Sequence, residues 1–209
     1  MEHQPPALFP ELIHFLETLE ATHLPKDRLD ALDPLVSYLK ASSSSPIHLN
    51  FICTHNSRRS QFAQVWATVI AGYLGISNLT SWSGGTEATA MALPVGQALE
   101  RAGLKWEKGT GENPVQRFHF GVGFSPVECF SKTFSDAYNP QENFVAVMTC
   151  SEADQACPWV PGASKRIALP YRDPKIADHT PEEAATYDER SRQIAQEMLY
   201  VLRNGIEIN

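Results

Sequence analysis

The sequence predicts an α/β protein: a parallel sheet with helices on both faces. Three observations carry that prediction. Short apolar runs at residues 47–52, 79–83, 144–149 and 166–169 alternate with segments whose apolar residues recur at helical spacing. Glycines stand where helices need a stop, at Gly75, Gly103 and Gly205. Repeated strand–helix alternation is what parallel strands joined by crossover helices require.

Taken in order, residues 11–20 bring Leu12, Ile13, Phe15, Leu16 and Leu19 near one helical face, and residues 26–40 do the same with Leu29, Leu32, Leu35, Val36 and Leu39. Pro25 suits the start of the second helix, and Pro34 inside it is expected to kink or shorten it. The Ser-rich stretch 41–46 reads as a linker. Residues 1–45 are thus a helical extension, expected to pack as a hairpin on a main domain spanning 46–209; a dimerisation or partner-binding arm is the alternative. Within the main domain, Phe62, Val65, Trp66, Val69, Ile70, Tyr73 and Leu74 mark a helix after the first strand. A second strand closes at Gly84-Gly85, and residues 94–102 form a short helix. Residues 104–142, rich in Gly, Pro and aromatics, give no clear element. The run FVAVMT at 144–149 is a strongly apolar strand. Thr180-Pro181-Glu182-Glu183 reads as a capping box that opens a last helix reaching Asn204. No internal repeat is evident. In such folds active sites lie at the carboxyl ends of the strands, and Cys53, Cys150 and Asp173 each follow a predicted strand.

The formal net charge of -7 argues against a nucleic-acid or anionic-membrane partner, both of which attract basic surfaces. Any bound anion must be held by a local arrangement. No apolar run is long enough to span a membrane, and the N-terminus MEHQPPALFPEL lacks the features of a secretory signal, so a cytoplasmic location is expected. In that reducing setting Cys53, Cys129, Cys150 and Cys157 point to catalytic, redox or metal roles before a disulfide framework. The absence of a Cys-x2-Cys or a His pair speaks against zinc, and no metal cofactor is expected.

The most informative stretch is Cys53-Thr54-His55-Asn56-Ser57-Arg58-Arg59-Ser60, between a strand and a helix. A tight loop of this length aims successive backbone N–H groups at one point, and the start of the helix adds its positive end there. Thr54 to Ser60 form the expected oxyanion cradle. Arg59 offers two parallel hydrogen bonds to a tetrahedral oxyanion. The positive surroundings favour a thiolate on Cys53, to which Ser60 can donate. Asn56 tolerates left-handed backbone and can tie the loop together through its amide. The competing reading is a buried strand-end cysteine followed by a coincidental basic pair. His55, a single histidine at the loop mouth, reads as solvated.

CTHNSRRSQFAQ resembles the phosphate-binding loop of the low-molecular-weight protein tyrosine phosphatases and of the thioredoxin-coupled arsenate reductases that share their fold. The resemblance runs from about residue 47 to the C-terminus. It implies a flavodoxin-like three-layer α/β/α domain with a four-stranded parallel sheet, in-line attack by Cys53 on a tetrahedral oxyanion, and charge stabilisation by Arg59. It further implies that Asp173, in Asp173-Pro174, protonates the leaving oxygen; without the resemblance a turn aspartate before proline is an equally good reading. Ser83-Gly84-Gly85-Thr86 is similar to the family's Ser-Ala-Gly-Thr turn, with Ser83 either bonding the cysteine loop or serving the turn alone. Arg58 stands where both branches often carry cysteine.

Two features separate the branches. The phosphatases usually follow Asp-Pro with aromatic residues that stack on a substrate ring, whereas this chain has Lys175-Ile176-Ala177. The segment 148–158, with Cys150 and Cys157 seven positions apart, resembles the redox pair of the arsenate reductases. That likeness implies arsenate reduction through a Cys53 adduct and a Cys53/Cys150/Cys157 disulfide cascade, with a thioredoxin-like reductant as partner. The intervening segment must unwind for the exchange. Two buried, inert thiols are the alternative for the pair, and Cys129 reads as a packed thiol. Phosphomonoester or tyrosine-phosphate hydrolysis through a phosphocysteine is the second reading, and a non-catalytic oxyanion-binding module whose N-terminal arm recruits a partner is the third. Gln64 stands where several reductases carry a glutamate thought to help bind potassium, which weighs against that ion here. Phosphate, sulfate or arsenate is the expected small guest.

Overall fold

The computed structural model describes residues 5–21, 23–42 and 45–207. Ser43 and Ser44 of the expected linker lie outside them. The chain begins with β1 (Ala7–Leu8), α1 (Pro10–Glu17) and α2 (Lys26–Ala41). The α/β body then follows as β2 (Ile47–Cys53), α3 (Arg59–Leu74), β3 (Leu79–Gly85) and α4 (Leu93–Arg101). After α4 come four short strands: β4 (Lys105–Glu107), β5 (Gln116–His119), β6 (Gly121–Val122) and β7 (Val127–Cys129). The body resumes with β8 (Phe144–Met148), α5 (Ser151–Ala156), β9 (Ala163–Ala168), a 3-10 turn at Pro174–Ala177, and α6 (Glu183–Gly205).

The main sheet is four-stranded and parallel, in the order β3-β2-β8-β9. From β2 the chain first moves to β3 on one side, then crosses to β8 on the other. The carboxyl ends of β2 and β8 therefore flank the topological switch point, where folds of this kind bind ligands. In β2 and β8 the alternate residues Leu49, Phe51, Val145 and Val147 enter one large core with α2, α3, α4 and α6. Their neighbours Ile52, Phe144, Ala146 and Met148 enter a smaller one with Cys53, Cys150, Ala153 and Val160. Both faces of β8 are buried, so it reads as the continuous apolar run FVAVM.

The extension belongs to the large core. Leu12, Leu16, Leu32, Leu35 and Leu39 are fully or almost fully buried there, and Phe15 stacks on Trp66 at 5.1 Å between ring centres. Helix α2 is not shortened at Pro34 and runs from Lys26 to Ala41. Pro34 lies on the exposed side, while buried Leu32, Leu35, Val36 and Leu39 fasten the helix from within. Arg28 in α2 donates two hydrogen bonds to the buried Glu197 carboxylate in α6, at 2.8 and 2.7 Å. It also donates to the Pro170 carbonyl at 3.0 Å and sits 5.0 Å over the Tyr171 ring.

Other boundaries shift for local reasons. The segment left unassigned from sequence holds an antiparallel sheet β4-β5-β7, and its β6 pairs with β1. The last helix begins at Glu183, later than the capping box proposes. Thr180 spends its hydroxyl on the Ala177 carbonyl and on Glu182 N–H, and Glu183 reaches back to His179 N–H at 2.8 Å. Strand β3 continues through Gly84 and Gly85, where β-carbons would come within 2.4 Å of the Phe134 backbone and of Glu87 O. No helix among the described residues is long and apolar enough to cross a membrane.

Replacing Arg28 by Ala strands the Glu197 carboxylate inside the protein, so we expect a loss of about 3–5 kcal/mol. Chemical denaturation checks this: replacing both Arg28 and Glu197 by Met is expected to recover most of the loss, and a single-variant loss under about 1 kcal/mol would exclude a strong pairing.

Candidate active site

Cys53 ends β2 and is 3% exposed, so its sulfur lies on the floor of the site. Its Sγ is 3.1 Å from Ser60 Oγ in the first turn of α3. Between them the chain turns at Asn56, which takes a φ of 46°, a left-handed conformation that asparagine accepts more readily than most residues. The Asn56 side chain then fixes the loop at two points. Its Nδ2 donates to Ser60 Oγ at 2.8 Å, and its Oδ1 accepts from Lys132 N–H at 3.0 Å. Gln61 adds a third tie by donating to the Asn56 carbonyl at 2.8 Å.

The carbonyls of this loop point outward into partners. Thr54 O accepts from Glu87 N–H, His55 O from the Ser131 hydroxyl, and Ser57 O from Ala92 N–H, at 2.9, 2.8 and 3.0 Å. The N–H groups behave differently: those of Thr54, His55, Asn56, Ser57 and Arg58 find no acceptor among the described residues. Asn56 is fully buried and Ser57 nearly so. Consecutive N–H groups left without protein partners have a geometry that can accept an anion. Gly85 permits the close turn, because a β-carbon there would fall 2.6 Å from Thr54 O and 2.7 Å from Asn56 N.

Arg59 is nearly buried. Its Nη2 donates to Asp173 Oδ2 at 2.7 Å, and its Nη1 donates to the Tyr171 carbonyl at 3.3 Å and lies 3.8 Å from Glu152. Its Nε is buried without a hydrogen-bond partner. The guanidinium therefore has a donor unspent beside the loop it belongs to. Asp173 is the N-cap of the 3-10 turn, where its Oδ1 accepts from Lys175 N–H at 3.1 Å. The Glu152 carboxyl lies below its usual range, first through its own backbone N–H and then through Arg59.

Arg58 departs from the sequence expectation. Its side chain turns away from the cradle, its Nε donating to the Tyr187 hydroxyl at 2.6 Å and its Nη2 to Asp178 at 2.7 Å. Only its backbone is left for an anion. His55 is exposed, with Nε2 3.7 Å from Glu87. Ser83 bonds Gln64 at 2.6 Å and Gln61 at 3.4 Å, and so reaches the loop only through Gln61. Gln64 in turn donates to the Glu128 carbonyl, so its amide is spent on β3 and β7.

Cys150 follows β8 and caps α5, accepting from Ala153 N–H at 3.4 Å. Its Sγ lies 3.5 Å from Thr54 Oγ1, on the residue after Cys53. Burial pushes this thiol up, against hydrogen bonds from Thr54 and Ala153 N–H. Cys157 caps the far end of the same helix and is partly exposed. All four cysteines are free thiols. Cys129 stands apart in β7, fully buried, with its thiol pushed up to about 12 by burial. Among the described residues no group of three or more His, Cys, Asp or Glu side chains is gathered to hold a metal ion.

Sequence reasoning missed the belt beneath the loop. Phe130 O accepts from Gln61, Ser131 bridges His55 O and Thr89 N–H, and Lys132 O accepts from Gly85 N–H. The Lys132 ammonium is buried without a hydrogen-bond partner, 4.3 Å from the Phe130 ring centre, and burial pulls it down to about 8. No local pattern in 104–142 signals this role.

No family model matches the chain, and no curated protein matches it. Solved structures do. A low-molecular-weight protein tyrosine phosphatase from T. tengcongensis superposes with a TM-score of 0.51 at 13% identity, covering 75% of this chain and 98% of that one. A YwlE mutant from Bacillus subtilis gives 0.51 at 14% identity over 75% and 97%, and YwlE is described as an arginine phosphatase. A thioredoxin-dependent arsenate reductase of Corynebacterium glutamicum, Cg_ArsC1', covers 90% of this chain and 80% of its own at 21% identity. Its TM-score is 0.39. All three are enzymes, and at these identities the likeness speaks to architecture alone. With its parallel sheet in the order β3-β2-β8-β9 and its cysteine loop at the switch point, the chain has the fold of the low-molecular-weight protein tyrosine phosphatases.

Proposed function

We propose that the chain is a thiol-dependent enzyme that holds a tetrahedral oxyanion over Cys53, and that its reaction is reduction of arsenate to arsenite. The observation that carries the redox reading is the second sulfur beside the loop: buried Cys150 Sγ sits 3.5 Å from Thr54 Oγ1, at the end of the strand beside β2. Hydrolysis has no use for it.

In this reading the Cys53 thiolate attacks arsenic as one arsenate oxygen leaves, protonated by Asp173, while Arg59 moves from Asp173 to the anion. The Cys150 thiolate then attacks Cys53 sulfur. The sulfur–arsenic bond pair stays on arsenic, arsenite departs, and a Cys53–Cys150 disulfide forms: two electrons leave the thiols and arrive on arsenic. Cys157 next attacks Cys150, releasing the Cys53 thiolate, and a thioredoxin-class dithiol reduces the resulting Cys150–Cys157 disulfide. As caps at opposite ends of α5, these cysteines lie roughly 10 Å apart along the helix. A disulfide needs α-carbons about 5.5 Å apart, so α5 must unwind. It has one buried residue, Ala153, to hold it.

Phosphomonoester hydrolysis is the second reading. Asp173 paired to Arg59 supports it, as do the phosphatases that share the fold. There the same attack gives a phosphocysteine, which water cleaves with Asp173 as base.

A parallel assay separates the two: arsenate with thioredoxin, and an aryl phosphate alone. Cys150→Ser is expected to abolish arsenate-dependent thioredoxin oxidation and leave any aryl phosphate hydrolysis intact. Substantial hydrolysis by the native protein with no arsenate turnover would reverse the ranking. Asp173→Asn is expected to slow the first chemical step about 10²–10⁴-fold, measured in single turnover as formation of the Cys53–arsenate adduct or as the burst of phenol. Because burial holds Cys150 up, formation of the Cys53–Cys150 disulfide is expected to accelerate from neutral to alkaline pH. A flat profile in mass-spectrometric trapping would count against Cys150 as the attacking thiol.

A further inference from the structure

Consecutive arginines grip opposite ends of one short turn. Arg59 donates to Asp173, the N-cap of the 3-10 turn Pro174–Ala177. Arg58 donates to Asp178, the C-cap of the same turn. The second grip is a closed triangle: Arg58 Nε donates to the Tyr187 hydroxyl at 2.6 Å, Arg58 Nη2 to Asp178 Oδ2 at 2.7 Å, and the Tyr187 hydroxyl to Asp178 Oδ1 at 2.7 Å. Tyr187 is fully buried in α6, so the triangle is anchored to a rigid element. The arginine and aspartate side chains are 15% and 19% exposed, shielded enough for a charge-assisted network to hold its shape.

The two grips have different fates when an anion arrives. If Arg59 turns the Nη2 donor it spends on Asp173 to a bound oxyanion, the turn loses that contact with its N-cap. We propose that Arg58 is a positioning residue: with Asp178 and Tyr187 it keeps the turn, and hence the Asp173 carboxyl, in place after Arg59 has moved to the substrate. This rests on the reading of Asp173 as proton donor. It also accounts for a large cation at a loop position whose side chain faces away from the anion.

The test uses the full-length protein and its Arg58→Gln, Asp178→Asn and Asp173→Asn variants, assayed on aryl phosphates with good and poor leaving groups. A proton donor matters only for the poor ones. Asp173→Asn is expected to slow the poor leaving group selectively; if it does not, the donor reading fails by itself. If it does, Arg58→Gln and Asp178→Asn are expected to lower kcat for the poor leaving group at least tenfold, with KM and the good leaving group changed less than about twofold. That pattern separates positioning from general loosening, which would slow both. Equal losses on both, or none, overturn the proposal.

A second measurement needs no turnover. In wild-type protein saturated with arsenate or phosphate, the Lys175 and Asp178 amides, bonded to Asp173 and to Lys175 O, are expected to stay protected from hydrogen exchange. In Arg58→Gln they are expected to lose at least tenfold protection when the anion is added. Unchanged protection rejects the clamp whether or not the protein hydrolyses phosphates.

Discussion

The site depends on how one buried amide is satisfied. Asn56 sits in left-handed backbone with its side chain tied to Ser60 on one side and Lys132 on the other. Those bonds hold the chain in a turn whose carbonyls face protein donors and whose N–H groups face none. A buried N–H without a partner is unfavourable by about 1–3 kcal/mol, so an acceptor brought to Asn56 and Ser57 would stabilise the turn. The orientation of this turn explains the rest of the local sequence. Gly85 allows the approach, Ser60 reaches both Asn56 and Cys53, and Gln61 closes the loop from beneath.

The electrostatics are local. A chain of formal charge -7 has no long-range attraction for anions, so the guest must be drawn by aligned amides, the helix start and one guanidinium. Arg59 is balanced between a carboxylate it already holds and the oxyanion it would hold. The pairing with Asp173 keeps a nearly buried cation compensated before an anion binds, which a low-dielectric site requires.

The parts legible in the sequence are those whose logic is contiguous. Strand, loop and helix start fall within residues 47–60, and the 3.6-residue rhythm of α3 follows at once. Cys150 is visible because it stands just past the apolar strand β8, whereas Asp173 stands out mainly through the family resemblance of Asp173-Pro174. Parts that depend on partners far along the chain are not legible. Arg58 looks like a second anion ligand until Tyr187 and Asp178, 129 and 120 positions away, capture it. The belt at Phe130 to Lys132 offers mainly backbone groups to the loop, and backbone groups leave no compositional mark. The strands of 104–142 are two to four residues long, too short for alternation to show. Pro34 does not end α2, because packing against α6 outweighs local propensity there.

The pairing of β1 with β6 joins two segments more than a hundred residues apart in the chain. Ala7 and Leu8 lie against Val122 and Gly121, and Phe9 N–H bonds Phe120 O. Gly121 has no room for a side chain there, since a β-carbon would lie 2.2 Å from Ala7 O. Each segment thus completes the other's hydrogen bonding, and deleting either one bares a strand edge on the survivor. The head of the chain and the loop-rich excursion behind the anion cradle are, in effect, one structural module written in two places, to be transplanted or trimmed together.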